Sequence, residues 1–434
     1  MKKLNLFVGL RDFFVLWSSQ TVSSLGTAMT NFALIIWVYG QQGTASSITL
    51  LTICTFVPTI LFRFIAGTIA DKWDKKRIML LADFIAACGT VTVFVLHSFS
   101  ALQVWHLYII NFLLSFMDAF QSPAAYVATS LLVPKEQYTR VSGLQSFSGS
   151  AVTILAPALG SILLAFGGLK MVLFMDLASF AAAFVTLLVF VKIPEVVRGA
   201  EEAKESFIKS CMTGINYLRK RSALLRLILF FSVVNFLAKM GGDGMMPAFV
   251  LGKTGGNQQA LGLLESAGAL GILAGSLLVT LMKPAKNKEK VIFISCAFTF
   301  LVGNAALSLS PTLPFWIAFE FVSYIPVAIL GAYLTATMRD QVPVDMQGRV
   351  FSARDTLQNC TIPLGLFLGG VLADHVFEPF MSIPSPVQQA LALLFGAEKG
   401  SGIAILFFIV GITGFIMSIA ALKNPLYQKL NEKQ

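Results

Sequence analysis

Among the ionisable side chains inside long apolar runs, Asp118, Lys239, Asp243, Glu265 and Glu320 are the candidates for chemistry. Placing a charge at the centre of a bilayer costs roughly 2.5–3.5 kcal/mol on insertion scales, so such residues mark partners or a hydrated pathway. A carboxyl in a low-dielectric site is drawn toward its neutral form and can carry a proton when the site changes its aqueous side. Asp118 is the deepest of the acids. Lys239 and Asp243 are one helical turn apart and can neutralise each other instead. Glu265 and Glu320 have hydrated vestibule carboxylates as their competing reading. A surface for a bulky guest is offered by Gln20, Asn31, Phe116, Trp316, Tyr324 and Asn359. Amides and rings suit amphipathic molecules, with cation–π contacts available. For each ring, packing is the competing role, because the chain holds 38 Phe.

The elements that must position these residues follow from composition. Of 434 residues 56% are hydrophobic and only 12% charged, against about 25% charged in soluble domains. A water-soluble globular protein is thereby excluded. The apolar runs reach about twenty residues, enough to cross a roughly 30 Å hydrocarbon core as helices. The expected spans are 13–38, 47–70, 78–97, 104–129, 141–166, 171–191, 223–250, 260–282, 291–310, 313–337, 350–373 and 402–422. The fold class is all-α and polytopic: twelve transmembrane helices in two six-helix bundles. The bundles are 1–191 and 223–434, joined by a connector at 192–222 that carries an amphipathic stretch from Glu205 to Lys220.

Numbering the connections alternately puts 25 of the 32 Lys+Arg on one side, 3 on the other and 4 within spans. That asymmetry predicts cytoplasmic N- and C-termini in a multi-pass cell-membrane protein. It also accounts for the net charge of +10 without nucleic acid as a partner. The five cysteines are scattered and the three histidines isolated, so neither a cofactor nor a metal site is expected. Gly252-Lys253-Thr254 imitates the end of a P-loop, but Pro247 stands where its first glycine belongs.

Between spans 2 and 3 the sequence runs from Gly67 through Asp71, Lys72, Asp74 and Lys75 to Lys76 and Arg77. This segment resembles the loop signature of the major facilitator superfamily, with Asp74 where that pattern expects glycine. Gly67 permits close helix contact, Asp71 can accept from a helix N-terminus, and the bases can latch onto carboxylates or phosphates. Further stretches resemble the macrolide-efflux-like branch of drug:proton antiporters: Asp71–Met79 with Asp83, Phe120–Ala124, Leu131–Glu136, Gly348–Ser352 and Gly369–Asp374. The resemblance implies alternating access of two halves around a midplane site. It also implies that helices 3, 6, 9 and 12 lie outside the cavity, which would make Asp83 and Asp176 structural. Arg63 would snorkel or pair with a carboxylate, and Arg354 with Asp355 would latch to the 67–77 loop. The superfamily's helix 4 arginine is replaced by Leu114. The antiporter element of helix 5 is partly kept, at Pro157 and Gly160.

The function expected is secondary export of a hydrophobic or amphipathic, macrolide-like compound, coupled to protons, by a monomer in contact with membrane lipid. Export of an endogenous metabolite such as a siderophore, or transport of a lysolipid, is the alternative within transport. A membrane-embedded enzyme or a receptor is the remote one, since no nucleophile–base set stands at the midplane.

Overall fold

The structure is a computed structural model that describes residues 10–134, 137–193, 215–281, 285–343 and 347–428. At 63–72, 138–140, 142–143, 347–349, 352 and 428 it describes the backbone alone. The Arg63, Asp71 and Lys72 side chains, the surroundings of Gly67 and most of the 205–220 stretch therefore lie outside what is described.

The described residues fold mainly as helices, with no strand among them, as long apolar runs require where backbone groups must be satisfied internally. The first helices are α1 (Arg11–Gln42), α2 (Ala45–Lys72), α3 (Lys75–Ser98), α4 (Val104–Leu132) and α5 (Tyr138–Val189). Then follow α6 (Ser222–Met240), α7 (Gly242–Lys253), α8 (Gln258–Leu281), α9 (Lys288–Thr299) and α10 (Leu313–Gln341). The chain continues through α11 (Gln347–Asn359), α12 (Ile362–Leu372), α13 (Glu378–Ser382), α14 (Pro386–Phe395), α15 (Ser401–Leu422) and α16 (Pro425–Gln428). Ten described helical runs are long and apolar enough to cross a membrane.

Four departures from the expected spans have local causes. Spans 5 and 6 form one helix, α5, broken only at Gly168, whose φ of 63° suits a residue without a Cβ. Span 7 is split at Gly241 into α6 and α7. Span 9 passes into a π-helical stretch, Phe300–Ala306. Span 11 is interrupted at Cys360 and Thr361, where the Thr361 hydroxyl donates to the Ser232 carbonyl of α6 at 2.7 Å. That run then continues to Ser382 through a second π-helical turn, Ala373–Phe377.

The chain divides into two compact units, residues 1–41 with 51–204, and 42–50 with 205–434. In the first, a core of Met29, Leu34, Val38, Leu107, Val172 and Leu173 joins α1, α4 and the second arm of α5. Gly160, on the first arm, lets α1 approach: a Cβ there would stand 3.0 Å from the Phe32 ring. In the second unit α8 meets α10 at Gly271 and Gly275, where a Cβ would run into the carbonyls of Phe321 and Ile325. An aromatic core of Phe249 with Phe407 and Trp316, and of Phe230 with Phe293 and Tyr427, completes it. The residues 42–50 join this unit through Asp374, which accepts from the amides of Ala45 at 2.8 Å and Ser46 at 2.6 Å. Both amides belong to the first turn of α2, whose N–H groups have no partner within the helix.

Candidate functional site

In each unit polar side chains are gathered among the helices. In the first, a cavity of about 750 Å³ is walled by α1 to α5, with Thr55 and Thr59 from α2. Asp83 of α3 stands in its wall, taking the Gln121 amide at 2.6 Å and the Gln20 amide at 3.4 Å. Asp176 of α5 is only 1% exposed. Its Oδ2 accepts from the Thr30 hydroxyl at 2.9 Å and the Thr90 hydroxyl at 3.3 Å, while Oδ1 is buried with no hydrogen-bond partner among the described residues. Asp118 and Asn31 also line the cavity. The lining therefore contains three acids and, among the described residues, no Lys, Arg or His.

Helices α3 and α5 thus contribute Asp83 and Asp176 to the wall of this space. The space opens within the first unit, where the Gln20 and Gln121 amides of α1 and α4 hold α3, and the Thr30 and Thr90 hydroxyls of α1 and α3 hold α5, against a polar interior. Phe116 is not part of that lining. Its ring packs between Phe62 and Phe120, at centroid distances of 4.7 and 5.0 Å. Leu114, in the place of the superfamily arginine, does border the cavity, and a Cβ on Gly89 would meet it at 3.1 Å.

The second unit joins an acid, a base and a phenol. Lys239 ends α6 and Asp243 begins α7, and the break at Gly241 leaves them one turn apart, with Nζ 2.9 Å from Oδ2. The Tyr324 hydroxyl of α10 donates to Asp243 Oδ1 at 2.9 Å. Glu320, one turn before Tyr324, is 5% exposed, and Glu265 of α8 is half-buried. Gly268, a turn beyond Glu265, brings α8 close enough that a Cβ would stand 3.4 Å from both the Glu320 stem and the Tyr324 ring. Glu320 lies within electrostatic range of Asp243 and Glu265. Asn304, in the π-helical stretch, fixes the break by accepting from the Gly242 amide at 3.0 Å. Four of the five sequence-predicted ionisable residues are thus gathered here, with Tyr324.

Two other predicted cavity residues are committed elsewhere. Trp316 is 4% exposed, with its indole N–H donated to the Ser310 carbonyl at 2.7 Å. Asn359 accepts from Asn235 of α6 at 3.3 Å, next to the break in span 11.

The family model of the Major Facilitator Superfamily matches residues 16–366. The chain belongs to the major facilitator superfamily. It is similar to macrolide efflux protein A of Streptococcus pyogenes, 28% identical over 371 residues that cover 84% of this chain and 90% of that one. It is also similar to the enterobactin exporter EntS of Shigella flexneri, 23% identical, with 76% of each chain covered. Its fold is like that of the nucleoside transporter NupG, with a TM-score of 0.67 at 13% identity, covering 94% of this chain and all of that one.

The superfamily loop signature is described from Asp74 onward. Asp74 caps α3, its carboxylate accepting from the Lys76 amide at 2.9 Å. Arg77 pairs back to Asp74 at 3.4 Å. Lys76 donates to the carbonyls of Leu188 at 3.0 Å and Val191 at 2.8 Å, at the end of α5. The latch therefore closes on a helix C-terminus, whose free carbonyls and negative dipole end favour a cation. Arg354 pairs with its neighbour Asp355 at 2.7 Å and lies over the Phe351 ring. Pro157 and Gly160 are both buried inside α5.

Proposed function

We propose that this superfamily member is a secondary active exporter. It moves a hydrophobic or amphipathic, macrolide-like compound out of the cell by alternating access, against inward proton flow. The observation that carries the reading is the Lys239–Asp243–Tyr324 cluster with Glu320 and Glu265 beside it. Asp243 holds a base through one oxygen and a phenol through the other. A proton arriving on that carboxyl would cancel its charge and release Lys239, so protonation and the join between α6 and α7 are linked. Glu265, Glu320 and Asp118 are the carboxyls that pass or exchange the coupled proton. The acidic cavity of the first unit suits the amine of a cationic amphipath, with Gln20 and Asn31 as hydrogen-bonding groups.

Similarity to macrolide efflux proteins supports the substrate class. The proposed setting is a monomer in the cell membrane, crossing it twelve times with both termini inside, and the 67–77 loop gating turnover. Similarity to an enterobactin exporter favours a second reading, in which the cargo is an endogenous metabolite such as a siderophore. Reconstitution in liposomes with an imposed pH gradient tests the proposal through efflux of a fluorescent cationic dye and of a macrolide. Movement that slows when the gradient is collapsed supports it. Movement indifferent to the gradient removes proton coupling, and no movement of either compound removes this substrate class.

A further inference from the structure

Helix α14 (Pro386–Phe395) joins two membrane-crossing runs, one ending at Ser382 and the next beginning at Ser401. It therefore sits at the membrane boundary where those runs emerge. Its 10 residues give it a length of about 15 Å, half of what a crossing needs.

Its inner side is pinned by polar contacts. Ser385 caps its first turn through the Gln388 amide at 3.1 Å, and the Gln388 side chain, 9% exposed, donates to the Met381 carbonyl. Phe395, 5% exposed, packs against Phe408 at 5.7 Å. Lys253 at the end of α7, its side chain 6% exposed, donates to the Phe395 carbonyl, to Glu398 at 2.8 Å and to Ser401 at 2.9 Å. Gly396, with φ of 81°, ends the helix.

The outer side is the opposite in character. Pro386, Val387, Ala390, Leu393 and Leu394 recur at helical spacing and are all exposed, Leu393 by 89%. Gln389 stands alone as a polar residue at the edge of that face, and the helix holds no charged residue. Ile383, exposed by 64%, extends the apolar strip back toward the preceding span.

We propose that α14 is an interfacial helix whose Val387–Leu394 face is embedded in the acyl-chain boundary of the lipid leaflet that meets it. Lipid is the occupant because the helix lies between two runs long and apolar enough to cross a membrane, whose own residues Val376, Phe380 and Ile409 are exposed apolar side chains as well. Five side chains are also far fewer than the roughly 20–30 residues a side of a stable protein interface. Amphipathic helices of this kind bury their apolar face about 5–10 Å deep. With no basic residue on the helix, its insertion is driven by apolar burial and not by headgroup charge.

The test uses the full chain in lipid nanodiscs, with the five native cysteines replaced by serine and a spin label at Leu393→Cys, Val387→Cys or Gln389→Cys in turn. Collisions with oxygen report lipid, and collisions with a nickel chelate report water. The expected result is an oxygen preference at 393 and 387 several-fold above that at 389, unchanged when anionic lipid is replaced by zwitterionic lipid. A nickel preference at both 393 and 387 would overturn the proposal, as would spin–spin broadening there, which signals a second copy on this face. Loss of the oxygen preference on removing anionic lipid would overturn the apolar mode of attachment.

Discussion

The hydroxyl of Tyr324 and the ammonium of Lys239 approach opposite oxygens of one carboxylate, that of Asp243, each at 2.9 Å. Three helices thereby meet on a single titratable group, and the group begins a helix that follows a break. Tyr324→Phe removes one donor and keeps the ring that packs against Gly268. A hydrogen bond to a charged group contributes about 1.5–3 kcal/mol, so the pH profile of efflux should shift while substrate binding changes only a few-fold. Efflux rates across a pH series, set against equilibrium binding, check this.

Removing the acid while keeping the base leaves an unpaired ammonium. Asp243→Asn should therefore abolish coupled transport and lower the melting temperature more than the double change Lys239→Met with Asp243→Asn. The two side chains are 26% and 41% exposed, so the stability difference should be about 1 kcal/mol, nearer the exposed than the buried limit. Thermal unfolding in detergent measures it, and equal losses in both variants would contradict the pairing.

Asp176 is the acceptor for two threonine hydroxyls in a nearly water-free position. Asp176→Ala strands both hydroxyls, at about 1–3 kcal/mol. Asp176→Asn keeps the volume and one acceptor oxygen and should cost clearly less. Parallel melting curves decide, and a ranking with asparagine worse than alanine would contradict the hydroxyl contacts as the main contribution.

The contact of α8 with α10 has no room for a side chain at Gly271 or Gly275. Gly271→Leu should destabilise by at least about 1–3 kcal/mol through overpacking and reduce expression of folded protein. Gly149, where an added Cβ would meet nothing, is the control: Gly149→Ala should leave yield and melting temperature nearly unchanged.

Glu398, between α14 and α15, carries a pH prediction. Partial burial pushes its carboxyl up, but the hydrogen bond and charge of Lys253, together with backbone N–H donors such as that of Ala397, outweigh that and hold it below the usual carboxylate value of 4.5. A lowered folded value means that its contribution to stability is full above about pH 4.5 and is lost as pH falls through the lower, folded value. The group is 57% exposed, so the contribution is below about 1 kcal/mol. Glu398→Gln should lower the melting temperature slightly at pH 7 and converge with the unmodified protein in strong acid.

Much of this architecture is legible in hydropathy, because a span must be apolar whatever it packs against. The breaks are less so. Nothing in the apolar run 223–250 separates Gly241 from a packing glycine, and its function as a joint depends on Asn304 more than sixty residues away. The gathering of Lys239, Asp243, Glu265 and Glu320 follows from ionisable residues being costly in spans, and so could be anticipated. The cavity around Asp83 and Asp176 could not, since its partners Thr30, Thr90 and Gln121 are neutral and common in helices. Lys253, which imitated a phosphate loop, is an anchor for α14, and α14 itself is too short to register as a span.

The central claim is that cargo and protons move in opposite directions through one mechanism. Its most direct measurement is internal pH, followed with a trapped dye in liposomes containing the protein, when a macrolide or cationic dye is presented on the proton-poor side. The account predicts substrate-dependent proton movement in the unmodified protein, lost in Asp243→Asn and reduced in at least one of Glu320→Gln, Glu265→Gln and Asp118→Asn. Substrate transport with no accompanying pH change, or proton movement unaltered in all four variants, would contradict it.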